Sequence, residues 1–174
     1  MANPSANAQA LRIGRAVPKR PRIMALILHP RIRRFEPGDL RGILRLERAC
    51  FGMDAWRKEA FEEYAGAVPK LFLVARIDGR LAGYSIATPA RHGGEIDSLA
   101  VLPMFRRYGV ATALLRASIR KLRRAGARSV SLMVRRGNTP AIALYRSLGF
   151  RRVATVARYY PRGVTAWRMR LELP

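Results

Sequence analysis

The stretch from Ile96 to Arg124 leaves this chain few choices. Ile96 to Leu102 reads as a short buried strand that Pro103 ends, and Val110 to Arg124 carries apolar residues at helical spacing. Between them, Arg106-Arg107-Tyr108-Gly109-Val110-Ala111 has to turn a strand into a helix. A glycine there lets another group approach the backbone closely, and the unpaired N–H groups of the helix start converge at the positive end of its dipole. Such a turn is an anion site of a size that suits a pyrophosphate.

The charge of the chain agrees with an anionic ligand. The formal net charge is +23, and all but four of the 34 basic residues are Arg, which grips phosphates and carboxylates bidentately. From Ser98 to the end the only acidic residue is Glu172. The expected partners are phosphates, an acidic peptide, or RNA such as that of a ribosome. A length of 174 residues is one domain's worth. The single cysteine, Cys50, rules out an internal disulfide and points to a reducing, cytoplasmic setting. No apolar run reaches the ~18 residues of a membrane span, so no membrane partner is expected.

Residues 1–29 have no sustained period and read as a mobile basic extension, which leaves 30–174 as the folded domain. Arg31 to Phe35 reads as a first strand. Pro37 then suits a first helical turn, with Leu40, Ile43, Leu44 and Glu47 at helical spacing up to Phe51-Gly52. Asp54 is placed to cap a second helix carrying Trp56, Phe61 and Tyr64. Leu71 to Ile77 and Leu81 to Thr88 flank Asp78-Gly79-Arg80 as a hairpin, and Glu95 to Val101 is the next strand. Alternation puts Glu95, Asp97, Leu99 and Val101 on one side of it and Ile96, Ser98 and Ala100 on the other. His92, in a loop beside glycines, reads as solvated, and Cys50 reads as core. After the long helix come a strand from Ser129 to Val134 and a helix that Thr139 caps, with Pro140 in its first turn. Two last strands, Arg151 to Ala157 and Ala166 to Leu173, close the order β-α-α-β-β-β-α-β-α-β-β of an α+β domain.

Three motifs stand in sequence. The run Ile96-Asp97-Ser98-Leu99-Ala100-Val101-Leu102-Pro103, then Arg106-x-x-Gly109-x-Ala111, then Asn138-x-x-Ala141-x-x-Leu144-Tyr145-x-x-Leu148-Gly149-Phe150, resembles the GNAT superfamily of acetyl-CoA-dependent N-acetyltransferases, over roughly Ile32 to Leu173. Arg158-Tyr159-Tyr160 is similar to the ribosomal-protein alanine N-acetyltransferases within it. The resemblance implies a mixed, mostly antiparallel sheet of about seven strands, helices on both faces, and a splayed central strand pair that takes pantetheine. It implies acetyl-CoA as co-substrate, with no metal. Leu99, Ala100 and Val101 would hold pantetheine and the thioester through their backbone. Arg106, Arg107, Gly109, Val110, Ala111 and Thr112 would cradle the pyrophosphate, Asn138 and Ala141 would complete the cofactor side, and Tyr145 would be the general acid. Tyr159 and Tyr160 would line a peptide slot.

The general base does not carry over. Met133 stands where the ribosomal-protein enzymes have a Glu, and Thr165-Ala166 where they have Asp-Ala. Glu95, six residues before Val101, has the spacing of the base in the histone-acetyltransferase branch, and Asp97 is the second candidate. A carboxylate at Glu95, partly desolvated by Leu99 and the acetyl group, would have a raised pKa suited to drawing a proton through a water. The expected acceptor is a protein or peptide N-terminal amine. Freeing it of its proton at pH 7 costs about 1.1 kcal/mol, against about 4.6 for lysine. A lysine or small-molecule amine is the alternative acceptor. A basic RNA- or ribosome-binding module of the same fold, without catalysis, is the alternative of another class.

Overall fold

The computed structural model describes residues 29–91 and 93–174. The leader before residue 29 and His92 lie outside the described residues. The strands are β1 (Arg31–Arg34), β2 (Phe72–Ile77), β3 (Arg80–Ala90), β4 (Gly93–Val101), β5 (Ser129–Arg135), β6 (Arg151–Tyr160) and β7 (Val164–Glu172). The helices are α1 (Leu40–Phe51), α2 (Lys58–Ala67), α3 (Val110–Arg124) and α4 (Thr139–Ser147). The order of elements is the one the sequence implies. One seven-stranded sheet runs β1-β2-β3-β4-β5-β7-β6, antiparallel throughout except between β4 and β5.

That parallel pair holds for three residues only, Gly94, Glu95 and Ile96 against Val130, Ser131 and Leu132. Beyond it β4 stays with β3 as far as Val101, and β5 stays with β7 as far as Arg135. The strands part where β4 carries a bulge: Ala87 faces Ile96 and Ile86 faces Ser98, which leaves Asp97 as the extra residue. A bulge bends its strand and sharpens the local twist. It also corrects the simple alternation. Ile96, Leu99 and Val101 pack into the core under α3, while Ala100 packs toward α1 and α2 and Ser98 bonds Tyr84 on that same side. Glu95 and Asp97 do share a face, but Leu99 and Val101 lie opposite them.

The helices cover both faces of the sheet. Ile43, Leu46, Phe61 and Tyr64 of α1 and α2 pack on Phe72, Val74, Tyr84 and Ile86. On the other face Leu114, Leu115 and Leu122 of α3, with Ile142 and Tyr145 of α4, pack on Leu73, Leu99, Leu132 and Met169. Gly94 is what lets α3 lie so close, since a Cβ there would come within 2.5 Å of Leu122. At the β1 edge, Arg33 grips the buried Asp39 through two bonds of 2.7 Å and Arg76 adds a third at 2.8 Å. This anchors the Pro37–Asp39 turn from which α1 starts.

Two helix starts differ from the sequence reading. The N-cap of α2 is Arg57, which makes no side-chain cap, and the Asp54 carboxylate, three residues before it, bonds Arg135 of β5. At α4 the cap is Asn138, whose side-chain oxygen accepts from the Ala141 N–H at 3.3 Å, so Thr139 is already inside the helix. An amide oxygen one residue earlier reaches the orphan donors that Thr139, within the helix, cannot.

Glu47 sits at the centre of the α1 face, fully buried. It accepts from the Trp56 N–H at 3.0 Å and from the Tyr84 hydroxyl, which also lies 2.8 Å from Ser98 Oγ. The connection after α1 and strand β3 thus meet on one carboxyl of α1, and β4 joins them through Tyr84. Burial raises the Glu47 pKa to about 7, against the pull of Tyr84 and Trp56. The folded state therefore holds a proton there that the unfolded chain gives up near the ordinary value of 4.5. Stability falls as the pH rises through that window, in the direction set by the extra proton of the native state. We expect urea unfolding to lose stability between about pH 5 and pH 8, by on the order of 3 kcal/mol from this group at most. Glu47→Gln should flatten that fall, and an unchanged slope would show that the carboxyl is not the source.

Candidate active site

The Pro103–Phe105 turn leads from β4 into a tight loop. Arg107 and Gly109 both adopt left-handed backbone there, at φ of 68° and 74°. For Arg107 that conformation costs roughly 1 kcal/mol and is held by its surroundings. The first bond inside α3 runs from Ala113 N–H to Gly109 C=O at 2.9 Å, so Val110, Ala111 and Thr112 begin the helix with N–H groups that have no intrahelical acceptor. Successive N–H groups in such a turn form an anion-binding concavity.

These residues line a cleft of about 430 Å³ together with Val101, Arg106 and Arg107. Pro140, Ala143 and Leu144 of α4 form its other wall. The sequence reading missed those three; the turn-by-turn spacing from Pro140 was the available signal. Ala141, which it named instead, is buried and its N–H is taken by Asn138. Leu99 and Ala100 are also buried, and beyond Ile96 their strand has no partner on the β5 side. The Asn138 amide nitrogen is buried with no hydrogen-bond partner among the described residues. The two arginines differ. Arg106 is folded back, its Nε donating to Val101 C=O at 3.2 Å beside the Cys50 sulfur, which itself donates to that carbonyl. Arg107 is exposed and has no ion pair among the described residues.

Across the sheet, on the α1 and α2 side, lies the acid pair. Glu95 is half-buried and Asp97 is 3% exposed. Burial first, with the charge of Glu95 behind it, raises the Asp97 carboxyl to about 7 against the Thr88 and Tyr64 hydroxyls. One Asp97 oxygen has no hydrogen-bond partner among the described residues. Tyr64 and Tyr159 stand in the field of both acids; burial and then these charges push the Tyr64 hydroxyl up, and the Tyr159 hydroxyl up to about 12. Tyr160 is buried edge-on against Tyr159, with ring centres 4.9 Å apart. Tyr145, on α4, is 2% exposed and packs edge-on to Phe150. Burial raises its pKa, so it keeps its proton at neutral pH. Met133 is buried in the α3-side core. The Arg107–Gly109 turn and the acid pair thus lie on opposite faces, joined by the gap between β4 and β5. Among the described residues no cluster of side chains could hold a metal ion.

Comparison with known proteins agrees with this geometry. Residues 40–150 match the model of the acetyltransferase (GNAT) family. The chain belongs to that family. It is 32% identical over 157 residues to an N-alpha-acetyltransferase of Sulfurisphaera tokodaii, covering 82% of this chain and 93% of that protein. It is 30% identical to the [ribosomal protein bS18]-alanine N-acetyltransferase of Escherichia coli, covering 72% of this chain and 84% of that one. The crystal structure of Ard1 from Thermoplasma volcanium superposes with a TM-score of 0.78 at 27% identity, over 83% of this chain and 98% of that one. This GNAT-family chain is an acetyl-CoA-dependent acetyltransferase, and the cleft with its orphan N–H groups and the open β4 edge fit that co-substrate.

Left-handed backbone at Gly109 makes a β-branched residue there unfavourable, although a Cβ meets nothing within 4 Å in the protein itself. We expect Gly109→Val to weaken acetyl-CoA binding about tenfold or more, the equivalent of ~1.4 kcal/mol, with far-UV circular dichroism unchanged. Calorimetric titration with acetyl-CoA is the measurement. Parental affinity would put the phosphates elsewhere.

Proposed function

We propose that this enzyme acetylates the N-terminal amine of a protein or peptide by direct attack on the thioester. The observation that carries the reading is Asp97: a carboxyl poised near neutrality, buried at the bulge where the strands part, beside Glu95 and Tyr159. An N-terminal amine has an ordinary pKa of about 7.7–8.0, close enough for Asp97 to take its proton. The relatives named above as N-alpha- and alanine N-acetyltransferases support the same substrate class.

In the proposed sequence the amine arrives from the α2 and β6–β7 side, past Tyr159 and Tyr160, and its proton passes to Asp97 directly or through one water. Its nitrogen forms a bond to the thioester carbonyl carbon. Backbone groups of Leu99 to Val101 hold that carbonyl and the pantetheine. The carbon–sulfur bond then breaks, Tyr145 gives its phenolic proton to the leaving sulfur, and the second proton that the nitrogen sheds as the amide forms restores the phenol through solvent. The phosphates rest on the N–H groups of Val110, Ala111 and Thr112, with Arg107 outside them, and Asn138 offers its free amide nitrogen to pantetheine. Glu95 comes first by spacing, yet Asp97 has the burial and the raised pKa, so we assign Asp97 the base and Glu95 the role of raising it.

Residues 30–174 act as the catalytic domain and 1–29 as a basic extension in this reading. The site of action is the cytoplasm, and the basic surface meets an anionic partner such as the ribosome. In support, Lys121 is crowded by Arg34, Arg124 and Lys70, which, after burial, lower its pKa. Cosedimentation with ribosomes that fails at low salt would remove the ribosome from this list.

The substrate reading is checked with a panel of peptides bearing free N-termini, N-blocked lysine peptides and small amines. We expect turnover on free N-termini; turnover confined to the other two classes would overturn it. The acid–base roles are read from pH profiles of kcat/KM. The parent should show an acidic limb near pH 7, and Asp97→Asn should lose that limb and about 100-fold in rate. Glu95→Gln removes a charge that raises Asp97, so its limb should move to lower pH. A limb that survives Asp97→Asn and vanishes in Glu95→Gln would exchange the two assignments. Tyr145→Phe should lower kcat and leave acetyl-CoA affinity near the parental value.

A further inference from the structure

Asp54 and Arg135 are 81 residues apart in sequence and 3.0 Å apart in space. Both side chains are largely sheltered, at 22% and 15% exposure. Arg135 is the last residue of β5, paired with Ala166 of β7 and three residues past the last contact between β5 and β4. It therefore stands in the parted region. Its guanidinium carbon also lies 4.6 Å from the centre of the Tyr160 ring, a cation–π contact. Tyr160 in turn backs Tyr159, whose hydroxyl feels Glu95 and Asp97. A single guanidinium thus touches the connection between α1 and α2 on one side and the end of β6 on the other. β5 does not need it as an anchor, because β7 pairs with that strand along its whole length.

We propose that Arg135 is a positioning residue for the acceptor: its contacts with Asp54 and Tyr160 hold the α1–α2 connection and the end of β6 at the spacing that admits a peptide N-terminus and keeps Tyr159 beside the acid pair. This rests on the N-terminal-amine reading of the site. Arg135 lines no part of the phosphate cleft, so its effect falls on the acceptor and not on acetyl-CoA. A loosened slot binds the peptide less well in the ground state and the transition state alike, which raises KM and spares kcat. Lysine can keep the charge over Tyr160 and reach toward Asp54, but it lacks the planar fork.

The experiment measures KM and kcat with a free-N-terminus peptide, the dissociation constant of acetyl-CoA, and binding of the same peptide to CoA-saturated protein. It uses the full chain carrying Asp54→Asn, Arg135→Met, Arg135→Lys, or Asp54→Asn with Arg135→Met. We expect Arg135→Met and Asp54→Asn to raise KM and weaken peptide binding about tenfold and severalfold respectively, with kcat and acetyl-CoA affinity within twofold of the parent. Arg135→Lys should recover part of the loss, and the double variant should be no worse than Arg135→Met alone, as for residues that act as one unit. Arg136→Met removes the same charge from an exposed neighbour and should leave KM unchanged. Should Arg135→Met fail to fold by circular dichroism, Asp54→Asn carries the test. Parental KM in Asp54→Asn, or an equal rise in Arg136→Met, overturns the positioning role while leaving the N-terminal-amine reading intact. A parent that neither binds nor acetylates peptide N-termini overturns both.

Discussion

The separation of β4 from β5 after three paired residues is the constraint on which the rest of the molecule turns. Each strand keeps its outer neighbour, β3 for one and β7 for the other, so the sheet is not weakened by the gap. The inner edges are another matter. Backbone groups facing a narrow gap without a partner are costly unless something polar and extended satisfies them. A pantetheine arm has two amides on a slim chain and can act as the missing strand. The bulge at Asp97 and the packing of α3 against Gly94 lie at the point where the two strands diverge. On the opposite face Glu47, through Tyr84, holds Ser98 just past the bulge, and Cys50 with Arg106 secures the carbonyl of Val101 at the strand end.

Charge is divided across the sheet as well. The α3 face offers arginine and a helix start, and the α1–α2 face carries two of the few carboxyls of a chain with 11 acids against 34 bases. In so basic a molecule a protonated amine is repelled almost everywhere on approach. Glu95 and Asp97 form a local exception. Burial, with the charge of Glu95 behind it, raises Asp97 to about 7, so this exception includes a carboxyl able to hold a proton near neutrality.

Much of this was legible in the sequence. The strand, turn and helix around Gly109, the position of Tyr145 and the order of elements all follow from local patterns. What stayed hidden was long-range or depended on one inserted residue. Period-two reading cannot see a bulge, so Leu99 and Val101 were put on the face of the acids when they lie opposite. Asp54 looks like a cap because the sequence next to it starts a helix, and nothing local reveals a partner on β5. Glu47 was visible only as one more position at helical spacing. Its burial depends on Tyr84 and Trp56, and no pattern within α1 encodes either of them. Asn138 carries the family motif, yet its capping role at α4 had been given to its neighbour.

The far margin of the sheet has its own consequence. β6 is an edge strand of ten residues, exposed along most of its length and apolar at Val153 and Val156. A long open edge invites another copy to add a strand. Here the pairing register shifts twice, between Arg152 and Ala154 and between Val156 and Tyr160, and arginines stand at 151, 152 and 158. An incoming β6 would meet a contorted hydrogen-bonding row and set arginine against arginine. The register shifts that precede Tyr160 therefore also leave this edge a poor template for strand addition by another copy.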